Sequence, residues 1–182
     1  MADITIQNVV ASTAIGEELD LDEISSAFDE AEYEPEQFPG LVFRVKTPKT
    51  AALIFRSGKV VLTGAKSIAD VETAIGIVCN ELKAKGFNGI QDNPEITVQN
   101  IVSTAALDAE LNLNAVAIGL GLENVEYEPE QFPGLIYRLK VPKVVLLLFG
   151  SGKLVVTGAK SADDARTAVD KISAELASLG LL

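Results

Sequence analysis

The pattern of apolar and polar residues predicts four strands in the first half of the chain. Apolar and polar positions alternate, or β-branched residues cluster, in residues 4–11, 41–46, 51–56 and 59–63. Pro48 and the pair Ser57-Gly58 separate the last three stretches, and a Ser-Gly pair is typical of a tight turn. The pattern therefore favours an antiparallel sheet of short, neighbouring strands.

Apolar residues at helical spacing predict two helices beside these strands. The first helix has Asp20 or Asp22 as its N-cap, and its apolar stripe is Leu21, Ile24, Phe28 and Ala31. The second helix begins after Ser67 and ends at Gly86. Its apolar stripe is Ile68, Val71, Ile75, Val78 and Leu82.

The second half of the chain repeats the first. Residues 33–41, Tyr-Glu-Pro-Glu-Gln-Phe-Pro-Gly-Leu, recur letter for letter at 127–135, and 10 of the 13 residues in 55–67 recur in 149–161. A helical stripe recurs between Ser161 and Gly180 at Ala165, Val169, Ile172, Leu176 and Leu179. The offset between copies grows from 92 to 94, so the second copy has gained two residues. Two copies, residues 1–90 and 91–182, predict one continuous pseudo-twofold domain, with residues 85–95 as the link. Gly119 and Gly121 should weaken the first helix of the second copy.

One face of each predicted sheet is apolar although helices cover only the other face. Alternation places Val42 on the same face as Arg44 and Lys46, which must be the open face because it carries charge. In the next strand either Leu53 with Phe55 or Ala52 with Ile54 faces outward, and both choices are apolar. An exposed sheet face is normally polar, so this one indicates a binding surface unless a second layer or a dimer partner covers it.

The charge distribution indicates a ligand that carries phosphate. The net charge is −11, yet eleven of the fifteen cations lie in residues 41–66 and 135–160, which contain no acidic residue. Two basic segments within an acidic chain can still bind a nucleic acid, because the local field decides phosphate contacts. An apolar surface with a basic rim suits the minor groove, which offers few distinguishing hydrogen-bonding groups.

The composition gives no support to catalysis. The chain has no histidine and a single cysteine, Cys79, so the commonest general base and cysteine-based metal clusters are excluded. We expect no enzyme activity, no cofactor and no metal. The absence of a long apolar run and of a signal-peptide pattern predicts a cytoplasmic protein, associated with the nucleoid in a cell without a nucleus.

The repeated Tyr-Glu-Pro-Glu-Gln-Phe-Pro-Gly-Leu motif, the repeated Ser-Gly-Lys and Thr-Gly-Ala-Lys motifs, and Gln-Asn near each repeat start closely resemble the TATA-box-binding protein family of archaeal type. The resemblance covers nearly the whole chain. It implies an α+β saddle, with one ten-stranded curved antiparallel sheet whose concave side grips the minor groove and four helices on the convex face. The implied function is a general transcription initiation factor that kinks promoter DNA.

The resemblance also implies roles for individual residues. The DNA wedges would be two pairs of rings, Phe38 with Phe55 and Phe132 with Phe149. Asn8 and Asn100 would donate to central bases, and the groove floor would pack on Val10, Leu53, Val61, Thr63, Val102, Leu147, Val155 and Thr157. The candidate phosphate contacts are Arg44, Lys46, Ser57, Lys59, Arg138, Lys140, Ser151 and Lys153.

The implied partners are double-stranded TATA-box DNA, transcription factor B and the RNA polymerase pre-initiation complex, with a homodimer as a further state of the free protein. Glu128, Glu130 and Gln131 lie in the loop of residues 127–134, the second stirrup, which the family uses to hold transcription factor B. The first stirrup, residues 33–40, has the same sequence, so the residues alone do not select the second. The residues also allow two other hypotheses: a protein-interaction adaptor that uses the apolar face, and an accessory domain of a nucleic-acid enzyme.

Overall fold

The computed structural model describes residues 3–182, so the first two residues of the first repeat lie outside the description. The chain forms two compact units, and each unit contains most of one repeat. The N unit comprises Asn8–Gln99. The C unit comprises Asn100–Leu182 together with the described residues that precede Asn8.

The N unit contains four antiparallel strands in the order β2-β3-β4-β1. Its elements are β1 (Thr5–Ala14, shared with the C unit), α1 (Leu21–Ala27), β2 (Leu41–Val45), β3 (Thr50–Ile54), β4 (Lys59–Ala65) and α2 (Ile68–Ala84). The register aligns Val42 with Leu53, Leu53 with Val61, and Val61 with Ser12. This alignment produces one continuous row of side chains across the sheet.

The C unit repeats this arrangement in the order β5-β9-β8-β7-β6. Its elements are β5 (Thr97–Ala106, shared with the N unit), α3 (Leu113–Leu120), β6 (Val125–Glu126), β7 (Leu135–Leu139), β8 (Val144–Leu148), β9 (Lys153–Ala159) and α4 (Ala162–Ser178). Ile136, Leu147, Val155 and Thr104 form the row equivalent to that of the N unit. The α+β class, the antiparallel strands, the two direct repeats and the four helices are therefore confirmed.

The number of strands differs from the prediction of ten: the described residues form nine. The missing strand is the first-repeat counterpart of β6. Val125 and Glu126 both pair with β7, whereas in the first repeat only Glu32 pairs with Val42, through two backbone hydrogen bonds. One bridge between single residues is too short to count as a strand.

Alternation of burial, regular in β3 and β8, divides each sheet into a core face and an outer face. In the N unit, Ala52, Ile54, Val60 and Leu62 are fully buried where α2 packs on β2, β3 and β4. In the C unit the equivalent residues Leu146, Leu148, Leu154 and Val156 are fully buried, and α4 packs on β8 and β9. The long helices therefore cover one face and leave the other face to the site.

The helix boundaries follow the predicted caps. The hydroxyl of Ser67 accepts the backbone N–H of Asp70 at 3.0 Å, and the hydroxyl of Ser161 accepts that of Asp164 at 3.1 Å. Asp20 is the N-cap of α1. Gly86 and Gly180 follow the C-caps of α2 and α4 at φ 89° and 72°, where glycine is favoured.

Four details of the helices were predicted wrongly. Helix α1 ends at Ala27, so Ala31 lies beyond it. Ile68 is the first residue of α2 and is 41% exposed, so it does not belong to the buried stripe that begins at Val71. Leu179 is the C-cap of α4 and is 40% exposed. Gly121 terminates α3 at φ 98° and is not inside that helix. Among residues 3–182, no helix combines the length and apolar character needed to cross a bilayer.

One buried hydroxyl in the C unit predicts a stabilising substitution. Ser103 in β5 is fully buried, and its Oγ has no hydrogen-bond partner among the described residues. The equivalent residue of the first repeat is Ala11, which is also buried. Because an unpaired buried hydroxyl is costly, Ser103→Ala should raise the free energy of unfolding by about 1 kcal/mol in chemical denaturation. The reciprocal change, Ala11→Ser, should lower it, and a Ser103→Ala variant of reduced stability contradicts this account.

Candidate functional site

The outer face of the N unit carries the side chains predicted to form a groove floor. Val10, Leu53, Val61 and Thr63 are half-buried, and the adjacent residues in each strand point into the core. Ile54 is fully buried, so of the two alternatives for β3 the outward set is the one with Leu53. The outer face is apolar at its centre although no helix covers it, which is unusual for an antiparallel sheet.

The outer face of the C unit has the same composition. The half-buried residues there are Val102, Leu147, Val155 and Thr157. Leu147 lies opposite Val155, as Leu53 lies opposite Val61 in the N unit. Each unit thus presents two aliphatic side chains side by side, with a threonine further along the same strand.

A single asparagine in each unit is held with its amide N–H₂ group toward this face. In the N unit the backbone N–H of Gly64 donates to Oδ1 of Asn8 at 2.7 Å, and Nδ2 donates to the Thr63 hydroxyl at 3.2 Å. In the C unit Gly158 and Thr157 hold Asn100 in the same way, at 2.6 and 3.2 Å. Fixing Oδ1 by a backbone donor determines the amide orientation, so the amide acts toward a ligand as a donor.

The four phenylalanines predicted to be DNA wedges form two pairs of rings, one in each unit. The ring centroids of Phe38 and Phe55 are 5.8 Å apart and those of Phe132 and Phe149 are 5.9 Å apart, both edge to face. Phe38 is 39% exposed and Phe132 is 38% exposed. Large rings with this exposure, outside any core, are available to a ligand.

A glycine beneath each pair of rings explains why the stirrups end in Pro-Gly. A Cβ on Gly134 would lie 2.7 Å from Phe132 and 3.0 Å from Phe149, and a Cβ on Gly40 would lie 2.7 Å from Phe38. The rings can pack over the backbone only because this position has no side chain. Sequence reasoning did not identify Gly40 and Gly134 as site residues, although their place between the two phenylalanines of each repeat was a signal.

The predicted phosphate contacts are all exposed, and several are paired with acids. Arg44 contacts Glu32 and Arg138 contacts Glu126, each at 2.6 Å, and Lys46 lies 3.4 Å from Glu30. Exposed pairs of this kind are weak, so a phosphate can replace the carboxylate. Glu32 and Glu126 were not predicted as site residues. Lys140 is exposed at the end of β7.

The remaining phosphate candidates lie in the hairpin turns that follow Phe55 and Phe149. Ser57 accepts the backbone N–H of Lys59 at 3.4 Å, and Ser151 accepts that of Lys153 at the same distance. Gly58 is at φ 90°, and a Cβ there would lie 1.9 Å from the carbonyl oxygen of Gly16. The turn therefore requires glycine, and a serine and a lysine with exposed side chains follow Phe55 and Phe149 within four residues in each repeat.

The two turns differ in one charge. Arg56 donates a hydrogen bond to the Tyr33 hydroxyl at 3.4 Å and lies 3.9 Å from Asp22, whereas the second repeat has Gly150 at this position. The hydrogen bond to Tyr33 raises the pKa of Arg56 above its ordinary value, and an arginine is a cation at neutral pH in any case. The N unit thus has one more positive charge beside its rings.

The two stirrups have the same backbone conformation as well as the same sequence. In the second stirrup the backbone N–H groups of Gln131 and Phe132 donate to the carbonyl oxygen of Glu128 at 2.9 and 3.0 Å. The carbonyl oxygen of Glu34 accepts the same two bonds in the first stirrup, at the same distances. Glu128, Glu130 and Gln131 are all exposed.

The thiol of Cys79, the single cysteine of the chain, is not suited to nucleophilic chemistry. Cys79 is buried in α2, and burial raises the pKa of its thiol. A protonated, inaccessible thiol is inert. Among residues 3–182 no group of three metal-ligating side chains comes together.

This chain is similar to known proteins in both sequence and fold. Residues 3–85 and 95–179 each match the family model described as transcription factor TFIID, or TATA-binding protein. The chain is 62% identical to a TATA-box-binding protein of Archaeoglobus fulgidus over 98% of its length and 97% of the relative's, and 62% identical to TATA-box-binding protein E of Halobacterium salinarum over 98% and 96%. The solved structure of Methanococcus jannaschii TBP superposes with a TM-score of 0.89 at 55% identity, covering 97% of this chain and 99% of that one.

Proposed function

The chain belongs to the TATA-box-binding protein family, and from this premise we propose that it binds the minor groove of TATA-box promoter DNA, bends it and starts assembly of a transcription initiation complex. The observation that carries the proposal is the outer face of each unit. An apolar floor, an oriented amide donor, a pair of rings of which one is exposed, and several exposed cations occur together, once in each repeat.

The amide donors account for a preference for A·T base pairs. The minor-groove edges of adenine and thymine present only acceptors, N3 and O2, whereas guanine adds an amino donor. Asn8 and Asn100 present N–H groups because backbone N–H groups occupy their oxygens. An N–H group facing the guanine amino group would leave two donors in contact, so G·C pairs at these positions are disfavoured.

The pairs of rings supply the means of bending. Apolar side chains that enter the minor groove separate adjacent bases and kink the duplex away from the protein. We assign this role to Phe38 with Phe55 and to Phe132 with Phe149, because in each pair one ring is exposed and the other is half-buried outside the core. The cations of the hairpin turns and of β2 and β7 then reach the phosphates on either side of a kink.

The second stirrup is the proposed docking site for transcription factor B. The bound factor would in turn recruit RNA polymerase. The exposed side chains of the stirrup include Glu128, Glu130 and Gln131 and no cation. An acidic loop is repelled by DNA and attracts a basic protein surface. The factor would therefore bind the promoter complex through a region that leaves the outer sheet face to DNA.

A duplex labelled at both ends tests the central proposal. The protein is titrated into a TATA duplex and a scrambled duplex of equal length at several salt concentrations, and energy transfer reports binding and bending together. We expect salt-dependent binding and a change in energy transfer confined to the TATA duplex. Absence of binding at every salt concentration would overturn the proposal and leave the apolar face to a protein ligand.

Asn100→Asp tests the assignment of the amide as a donor. Aspartate keeps an oxygen for the backbone N–H of Gly158 but replaces the donor with a charged acceptor. We expect TATA affinity to fall at least tenfold, or about 1.4 kcal/mol, because a hydrogen bond is lost and an acceptor faces base acceptors. Asn80→Asp on the exposed side of α2 adds the same charge outside the site and serves as the control. Equal TATA affinities for Asn100→Asp and Asn80→Asp would show that the Asn100 amide is not a donor to DNA.

A further inference from the structure

We propose that a shallow groove beside the second stirrup, with aliphatic lining residues that the first repeat lacks at the equivalent positions, allows a protein partner to distinguish two stirrups of identical sequence. The inference rests on the proposed function, which gives the second stirrup a partner. It adds the residues that make this stirrup different from the other.

The groove lies between the C-terminal end of α3 and the start of the second stirrup and has a volume of about 530 Å³. Its apolar lining comprises Ala117, Ile118, Leu122 and Val125, and Glu126, Tyr127 and Glu128 form its border with the stirrup. Ile118 is 72% exposed and Leu122 is 68% exposed. Two aliphatic side chains this exposed and this close together mark an interaction surface.

The first repeat has no such lining. Ser25 and Ser26 stand where the second repeat has Ala117 and Ile118. The second copy has two more residues than the first between the start of this helix and the stirrup: α3 is one residue longer than α1, and the turn from α3 to β6, which contains Leu122, is one residue longer than the turn after α1. The letter-for-letter identity of the stirrups themselves means that discrimination must come from such neighbouring differences.

Charge identifies the kind of partner that fits. Residues 113–134 contain four glutamates and no lysine or arginine. An apolar groove with an acidic rim repels DNA and accepts a protein segment that inserts an aliphatic or aromatic side chain flanked by lysine or arginine. The occupant is therefore a basic protein segment that contacts the groove and the second stirrup at the same time.

The double variant Ile118→Ser, Leu122→Ser tests the inference with transcription factor B as the probe. Both side chains are exposed, so the fold should be unaffected. We expect binary affinity for the TATA duplex and the bend to stay unchanged, while affinity of transcription factor B for the protein–DNA complex falls about tenfold. Ile68→Ser, which removes an exposed isoleucine of the first repeat, should leave both affinities unchanged.

Three results distinguish failure of the groove inference from failure of the proposed docking site. If Glu128→Arg weakens recruitment but the double variant does not, the groove has no role and the inference is overturned while the proposed docking site stands. If neither variant affects recruitment, the proposed use of the second stirrup fails as well. If the double variant instead reduces self-association of the free protein, the occupant is a second copy of this chain and the inference is overturned.

Discussion

Replacing Phe149 with alanine should leave the C unit folded but remove most of the bend at its end of the TATA duplex. Phe149 lies outside the core, and its ring packs edge to face on Phe132 above Gly134. Without it, Phe132 loses the neighbour that holds it and there is less apolar surface to separate the bases. We expect the lifetime of the complex to fall roughly thirty- to hundredfold, or about 2–3 kcal/mol, as for a central aromatic contact.

The measurement is energy transfer across an end-labelled duplex, combined with dissociation kinetics. Phe28→Ala is a matched control, because Phe28 also packs edge to face on a second ring, Phe43, with centroids 5.1 Å apart. It removes a ring of the same size from a region outside the outer faces. Gly134→Ala should reproduce part of the Phe149→Ala effect, since a Cβ there displaces both rings. A Phe149→Ala variant that bends DNA like the parent protein would disprove the wedge assignment.

Local chemistry that depends on neighbouring residues was predictable from the sequence. Ser67, Ser161 and Asp20 cap their helices because each offers an oxygen to N–H groups two or three residues away. The open face was predictable in part: the charges of β2 fixed Val42 outward, but β3 has no charge to reveal its orientation. Only the register of β3 against β2 and β4, which puts Leu53 between Val42 and Val61, settles that strand.

Features that depend on a few ångströms of packing were not predictable. The prediction of a tenth strand was wrong because Glu32 makes only one bridge to Val42. No pattern of residues in a sequence distinguishes an isolated bridge from a short strand. Ile68 fits the apolar stripe of α2 by its spacing but is 41% exposed at the first position of the helix. The need for Gly40 and Gly134 is visible only when both rings of a pair are in place.

The pairing of the arginines proposed to contact phosphate with acidic residues also required the structure. Arg44 and Glu32 are twelve residues apart, and so are Arg138 and Glu126. Strand pairing brings each acid next to its arginine, which holds the guanidinium at the outer face in the free protein. The acidic residues of this chain therefore include two, Glu32 and Glu126, that position cations proposed to contact phosphate.

Reversing the charge of Glu128 should strongly weaken recruitment of transcription factor B without a loss of DNA binding. Glu128 is exposed in the second stirrup, which carries no cation of its own. Arginine at this position would face the basic surface of the proposed partner, and like charges in contact across an interface cost several kcal/mol. We expect affinity of the factor for the protein–DNA complex to fall about a hundredfold, or roughly 3 kcal/mol.

Glu34→Arg is the matched control, because it makes the same change in the same sequence and the same backbone conformation of the first stirrup. Both variants gain the same charge, so any general gain in DNA affinity appears in both and cancels in the comparison. Ternary-complex formation with labelled transcription factor B should then distinguish them, with Glu34→Arg close to the parent protein. Equal losses for the two variants would mean that the factor does not discriminate between the stirrups. A loss of binary DNA binding by Glu128→Arg alone would place the second stirrup in the DNA interface, since only a residue in contact with DNA changes that affinity when net charge is matched.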